Sequence, residues 1–146
     1  MSESQKNSLG VEAQRALFDG QIQCLALTFY ENERPPCGLS GIIDWHFHGA
    51  ISRSIQMGAI TGKVGECTYF PFTRNGQTFH VILAGAGHSE EPGVRTPVRA
   101  ETLQTLQKNL ISLGLSKIGV SKSDFGNVSS EFFAKHLKGV PLWIAP

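Results

Sequence analysis

The sequence predicts one α/β domain in three layers, a mixed sheet with helices on both faces. Runs dense in apolar and aromatic residues alternate with segments of helical periodicity, the pattern of a helix-covered sheet. Two of these runs, 67–72 and 78–84, are separated by a short stretch containing Asn75-Gly76, a strong hairpin signal, so the sheet is not purely parallel. The second of them is nearly continuous in apolar side chains, as a central strand covered on both faces requires. With 146 residues, 40% hydrophobic and 17% charged, the chain has room for one core and an ordinary globular balance.

Taken in order, residues 1–20 hold few apolar positions, and Val11, Ala13, Ala16 and Leu17 predict a short helix or arm packed on a body spanning 21–146. From Gln21, the run IQCLALTFY followed by polar ENERPP reads as a buried first strand and its exit loop. Leu39, Ile43, Phe47, Ile51 and Ile55 recur at every fourth position, which predicts a single helix over 38–57. Gly58 and Gly62 then supply stop and turn signals before the hairpin. Thr96-Pro97 predicts the start of the next helix, since threonine caps free amides and proline suits the first turn. Leu103, Leu106, Leu110 and Leu113 give that helix one apolar face, and Gly114 ends it. A short strand over 117–121, a helix over 128–138 stopped by Gly139 and a last strand over 142–144 complete the pattern.

The segment 62–87, GKVGECTYFPFTRNGQTFHVILAGAG, is the most specific stretch. Gly62, Lys63, Gly65 and Glu66 precede an apolar run, and a second run closes on Gly85 and Gly87. This arrangement resembles the amino-terminal domain of the leucyl aminopeptidases, and the resemblance extends in order and spacing over about 21–138. It implies a macro-domain-like α/β/α sandwich. In that family the chemistry belongs to a separate catalytic domain, which binds two metal ions around a signature of the type N-T-D-A-E-G-R. No such string occurs here, and the only aspartates, Asp19, Asp44 and Asp124, are far apart in sequence, so aminopeptidase activity is not expected.

Thirteen basic and twelve acidic residues give a net charge of +1, which supports neither nucleic acid nor a membrane surface as a partner. The polar amino terminus and the lack of a long apolar run point to a cytoplasmic protein. Cys24, Cys37 and Cys67 form no C-x-x-C pair and read as reduced thiols. Cys24 and Cys67 fall within strands, whereas Cys37 follows Pro35-Pro36 in a loop and is the one to test for reactivity.

His46 and His48 invite a metal hypothesis, but two residues apart on a helix they point away from each other, and His80 or His88 would have to complete a site. Gly85, Gly87, His88 and Ser89 form a weak ligand-loop candidate: a glycine-rich strand end offers backbone amides to phosphates, but the third glycine of G-x-G-x-x-G is missing. Arg95, Arg99, Lys117 and Lys122 form no dense run and read as a solvated face. Trp45 lies off the apolar stripe of its helix and Trp143 stands near Pro141, which makes both interface candidates.

These readings lead to one expectation: a non-catalytic interaction or regulatory module that needs no cofactor and binds a protein partner or itself. In the resembled family this domain contributes to assembly and regulation, and in some members to DNA binding. The alternative is a macro-like module for a nucleotide or ADP-ribose-like ligand at 85–89.

Overall fold

The computed structural model describes residues 8–91 and 94–146. Its center is a five-stranded sheet built from β1 (Cys24–Tyr30), β2 (Cys67–Arg74), β3 (Gln77–Gly87), β4 (Ile118–Ser121) and β5 (Leu142–Ala145), in the order β2-β3-β1-β4-β5. β1 pairs in parallel with β3 and β4, β5 pairs in parallel with β4, and β2 is the antiparallel edge. All seven residues of β1 are buried, as a central strand between two helical layers demands.

Strand alternation divides the core between the two faces. On one, Leu25, Leu27 and Phe29 of β1 pack with Val81 and Leu83 beneath α1 (Ala13–Phe18), α2 (Gly38–His46) and α3 (Ala50–Gln56). On the other, Cys24, Ala26, Ile82 and Ala84 pack beneath α4 (Ala100–Leu113) and α5 (Ser130–His136) through Leu103, Leu106 and Phe133. Both faces of the sheet are thus covered, in three layers. Leu9, Ala13, Ala16 and Leu17 belong to the first core, and the Leu9 amide donates to the Ile144 carbonyl at 2.8 Å, so this part of the predicted arm continues the sheet beyond β5. Residues 1–7 of that arm lie outside the described residues.

Three predicted boundaries differ. The helix expected over 38–57 is two helices, because the chain turns at His48 (φ 58) and Gly49 (φ 77), where it leaves right-handed helical geometry. Asp44 supports that break: its carboxylate accepts from the Ile51 amide at 2.7 Å, the Ser52 amide at 3.0 Å and the Ser52 hydroxyl at 2.5 Å, satisfying the free first turn of α3. Thr96-Pro97 does not begin α4, which starts at Ala100; the Thr96 carbonyl instead accepts from the Tyr30 hydroxyl at 2.9 Å, and the Val98 amide donates to Phe125. The first strand begins at Cys24 because the amides of Gln21 and Ile22 donate back to Ala16, closing α1. At the Asn75-Gly76 turn both residues have positive φ, 53 and 77, the geometry that joins adjacent twisted strands.

Candidate functional site

Open α/β sheets bind ligands beyond the carboxyl ends of parallel strands, where the order of connections reverses. Here that place is the end of β1, which has β3 on one side and β4 on the other. Residues of the segments 31–37, 88–91, 94–99 and 122–129 meet there.

The first feature of this end is its closure by the chain's own backbone. The Gly85 amide donates to the Glu66 carbonyl and the Gly87 amide to the Gly62 carbonyl, both at 2.8 Å. The segment 62–66 is held in place by the Glu66 carboxylate, which accepts from the Thr61 amide (2.9 Å), the Thr61 hydroxyl (2.6 Å) and the Gly62 amide (2.8 Å). The approach is close enough to exclude side chains: a Cβ on Gly85 would lie 1.9 Å from the Lys63 carbonyl oxygen, and one on Gly62 would lie 2.7 Å from the Glu31 nitrogen. The glycines of 62–87 therefore admit one backbone against another, and the Gly85 and Gly87 amides are not free to hold a phosphate.

The second feature is a buried ionic cluster. Arg95, on the loop before α4, lies 2.8 Å from Glu33 and 3.5 Å from Asp124, with side-chain exposures of 13%, 3% and 2% respectively. Arg95 Nη2 also donates to the Cys37 carbonyl at 3.2 Å, and its guanidinium sits 5.1 Å from the centroid of the Tyr30 ring. Asp124 Oδ2 accepts from the Thr28 amide at 2.9 Å and the Thr28 hydroxyl at 3.2 Å, while its Oδ1 has no hydrogen-bond partner and interacts with Arg95 only through charge. Burial pushes the Asp124 carboxyl up to about 6, against the opposing pull of Arg95 and the Thr28 bonds. Burial pulls the Arg95 guanidinium down, but Asp124 and Glu33 together lift it above its ordinary value, so it stays charged. The cluster ties three loops to the sheet and neutralises its own cation.

Cys37 joins this cluster as a donor, its thiol 2.8 Å from Glu33 Oε2. Burial, then that bond and the Glu33 charge, push the thiol up to about 11, which keeps it protonated and weakly nucleophilic near neutral pH. Cys24 and Cys67 are pushed up to about 12, chiefly by burial, and serve as core side chains.

The third feature lies on the α2 side. Trp45 is 77% exposed at the end of α2, and Ile42, one turn earlier, is also exposed. Beside them an open depression of about 710 Å3 is lined by Asp44, Trp45, His46, His48 and Arg74. The His46 ring packs between Phe18 (centroids 4.7 Å apart) and Trp45 (5.2 Å), and the Arg74 guanidinium lies 5.2 Å from the Phe18 centroid.

His46 and His48 thus border the same depression, although the helix predicted to carry both ends between them. His80 is elsewhere, its Nδ1 2.5 Å from the Tyr69 hydroxyl, and His88 is exposed at the end of β3. Among the described residues no three His, Cys, Asp or Glu side chains are placed to share a metal ion. Ser89 is buried and exchanges hydrogen bonds with Asn32, its amide donating to Asn32 Oδ1 at 2.9 Å and its carbonyl accepting from Nδ2 at 2.7 Å. Trp143 is half-buried against the core of the α1–α3 face, unlike Trp45. Arg95 is not part of a solvated face with Arg99 and Lys117: it is drawn inward by two acids distant in sequence, Glu33 and Asp124, and no local spacing announces that meeting.

Residues 26–135 match the N-terminal domain of the cytosol aminopeptidase family. No curated protein matches the chain in sequence. Among solved structures, the macrodomain of Thermus aquaticus DarG is similar with a TM-score of 0.68 at 14% identity, covering 96% of this chain and 97% of that one. A tomato leucine aminopeptidase variant is similar with a TM-score of 0.62 at 15% identity, over 95% of this chain but 31% of that one. Thermosipho africanus DarTG, solved in complex with ADP-ribose, is similar with a TM-score of 0.61 at 10% identity, over 88% of this chain and 39% of that one. The chain belongs to the cytosol aminopeptidase family by way of that family's N-terminal domain, in a macrodomain-like α/β fold.

Proposed function

We propose that this domain is a non-catalytic interaction module that binds a protein partner, a second copy of itself included, through the face around Trp45. The observation that carries the reading is the 77% exposure of Trp45 beside exposed Ile42 and Arg74. Tryptophan and arginine dominate interface hot spots, and a tryptophan left in water forgoes the burial its large apolar ring favors. The family match of residues 26–135 is to an N-terminal domain, which supports the same reading. So does the state of the carboxyl end, where the Gly85 and Gly87 amides and the Arg95 charge are all occupied internally.

The test is capture by immobilised protein together with light scattering of the purified chain. The module reading expects a defined partner or dimer that is lost with Trp45→Ala and retained with Trp143→Phe. A monomer that captures nothing, or capture indifferent to Trp45, overturns it.

A second reading is favored by one observation, the likeness to a macrodomain along nearly the whole length of both chains, since a protein of that fold has been solved with ADP-ribose. On that reading ADP-ribose at about a hundred times its dissociation constant raises stability by about 2.7 kcal/mol. The closure of the β3 end predicts no such shift.

A further inference from the structure

The depression beside Trp45 is polar as well as aromatic, and the cations at and beside it that lack a carboxylate partner specify the partner more narrowly. Arg74, at the end of β2, is exposed, and no carboxylate among the described residues pairs with it. Arg53 of α3 likewise has no acidic partner among them; it is not a lining residue, but its Nη1 donates at 2.5 Å to the carbonyl of His48, which is. The nearby acids are already engaged. Asp44 spends both carboxylate oxygens on the first turn of α3, and Asp19 of α1 pairs with Arg15 at 3.5 Å. Among the described residues, α1, α2, α3 and β2 therefore bring Arg74, two imidazoles and, just outside the lining, Arg53 to an exposed indole, while the lining carboxylate, Asp44, is turned onto the first turn of α3.

Resting on the reading of this face as the contact surface, we infer that its partner is an acidic protein segment whose carboxylates meet Arg74 and Arg53 while an apolar or aromatic side chain covers Trp45. The geometry suits such a segment. Guanidinium groups form paired hydrogen bonds with carboxylates, and Arg74 is already oriented by its contact with the Phe18 ring. A nucleic acid fits less well, because the cationic groups are confined to one depression on a chain whose net charge is +1.

The probe is a capped peptide alternating glutamate with phenylalanine, with a lysine-for-glutamate peptide and a thymidine oligonucleotide as controls. Binding is read from Trp45 fluorescence in a Trp143→Phe background. The acidic peptide is expected to bind, and Arg74→Glu to weaken it about tenfold, the scale of one charge-assisted contact. Lys108→Glu, an equal charge change on the exposed side of α4, is expected to leave binding within about twofold, since separation and salt screen it. Raising salt from about 0.05 M to about 0.5 M is expected to weaken the acidic peptide without altering the fold, an arm that depends on no substitution. Tighter binding of the lysine peptide or the oligonucleotide, or indifference to Arg74→Glu and to salt, overturns the inference. If Trp45-dependent capture persists while the acidic peptide fails, only this inference falls; if capture fails as well, the module reading falls with it.

Discussion

Replacing Arg95 by methionine tests whether an internal ionic cluster closes the carboxyl end of the sheet. The substitution keeps an apolar side chain of similar length and removes the guanidinium from the Tyr30 ring, from Glu33 at 2.8 Å and from Asp124 at 3.5 Å, two acids whose side chains are 3% and 2% exposed. It also removes the donor to the Cys37 carbonyl. Breaking a buried ion pair from one side costs about 3–5 kcal/mol, because the remaining charge is left without compensation. For a chain of this size such a loss lowers the melting temperature by roughly 10 °C. Urea unfolding at neutral pH measures the loss. Adding Glu33→Gln and Asp124→Asn to Arg95→Met removes the stranded charges and recovers at least half of it, the non-additivity expected of groups in one network. A loss below about 1 kcal/mol for Arg95→Met, or a further loss in the triple variant, would mean that the cluster does not hold this end of the sheet.

Further outcomes follow from the same geometry. Gly85→Ala places a methyl group 1.9 Å from the Lys63 carbonyl oxygen, an obstacle of backbone rather than of a flexible side chain. It should therefore cost about 3 kcal/mol or more, against about 1 kcal/mol for Gly65→Ala, where φ is +96 but the space is open; equal costs in chemical unfolding contradict the close approach. Asp124 is raised from 3.8 to about 6 by burial, so the folded state binds more protons between those values. Its contribution to stability is full below about pH 4 and is lost as pH rises through 6, by roughly 3 kcal/mol in all. Asp124→Asn should accordingly gain on the wild type as pH rises from 4 to 7, and a difference that is flat or opposite in sign contradicts the placement of that carboxyl.

Much of the fold was legible because periodicity is local. The every-fourth apolar spacing from Leu39 to Ile55 located the helical layer, and Asn75-Gly76 located the hairpin. What that spacing did not reveal is the break at His48-Gly49, since Phe47 and Ile51 remain on the core side and the Asp44 carboxylate, which supports the break from seven residues before Ile51, leaves no periodic signal. Glu66 behaves similarly: the G-K-x-G-E segment was recognizable as a family feature, but its carboxylate acts on Thr61 and Gly62 within a loop, where no periodic signal exists. The Glu33–Arg95–Asp124 cluster was illegible for a different reason. Its members come from three loops and meet only because β1 lies between β3 and β4. Trp45 was readable, because a large aromatic off the apolar stripe of an amphipathic helix must face water or a partner.

Whether partners meet the Trp45 face or the carboxyl end of the sheet is decided by site-specific photo-crosslinking. A photoreactive amino acid is placed at Ile42, exposed one turn from Trp45, in one variant and at His88, exposed at the end of β3, in another. A discrete protein adduct is expected from position 42 and none from position 88. Adducts from position 88 alone, or an adduct there that ADP-ribose abolishes, would contradict contact through the Trp45 face.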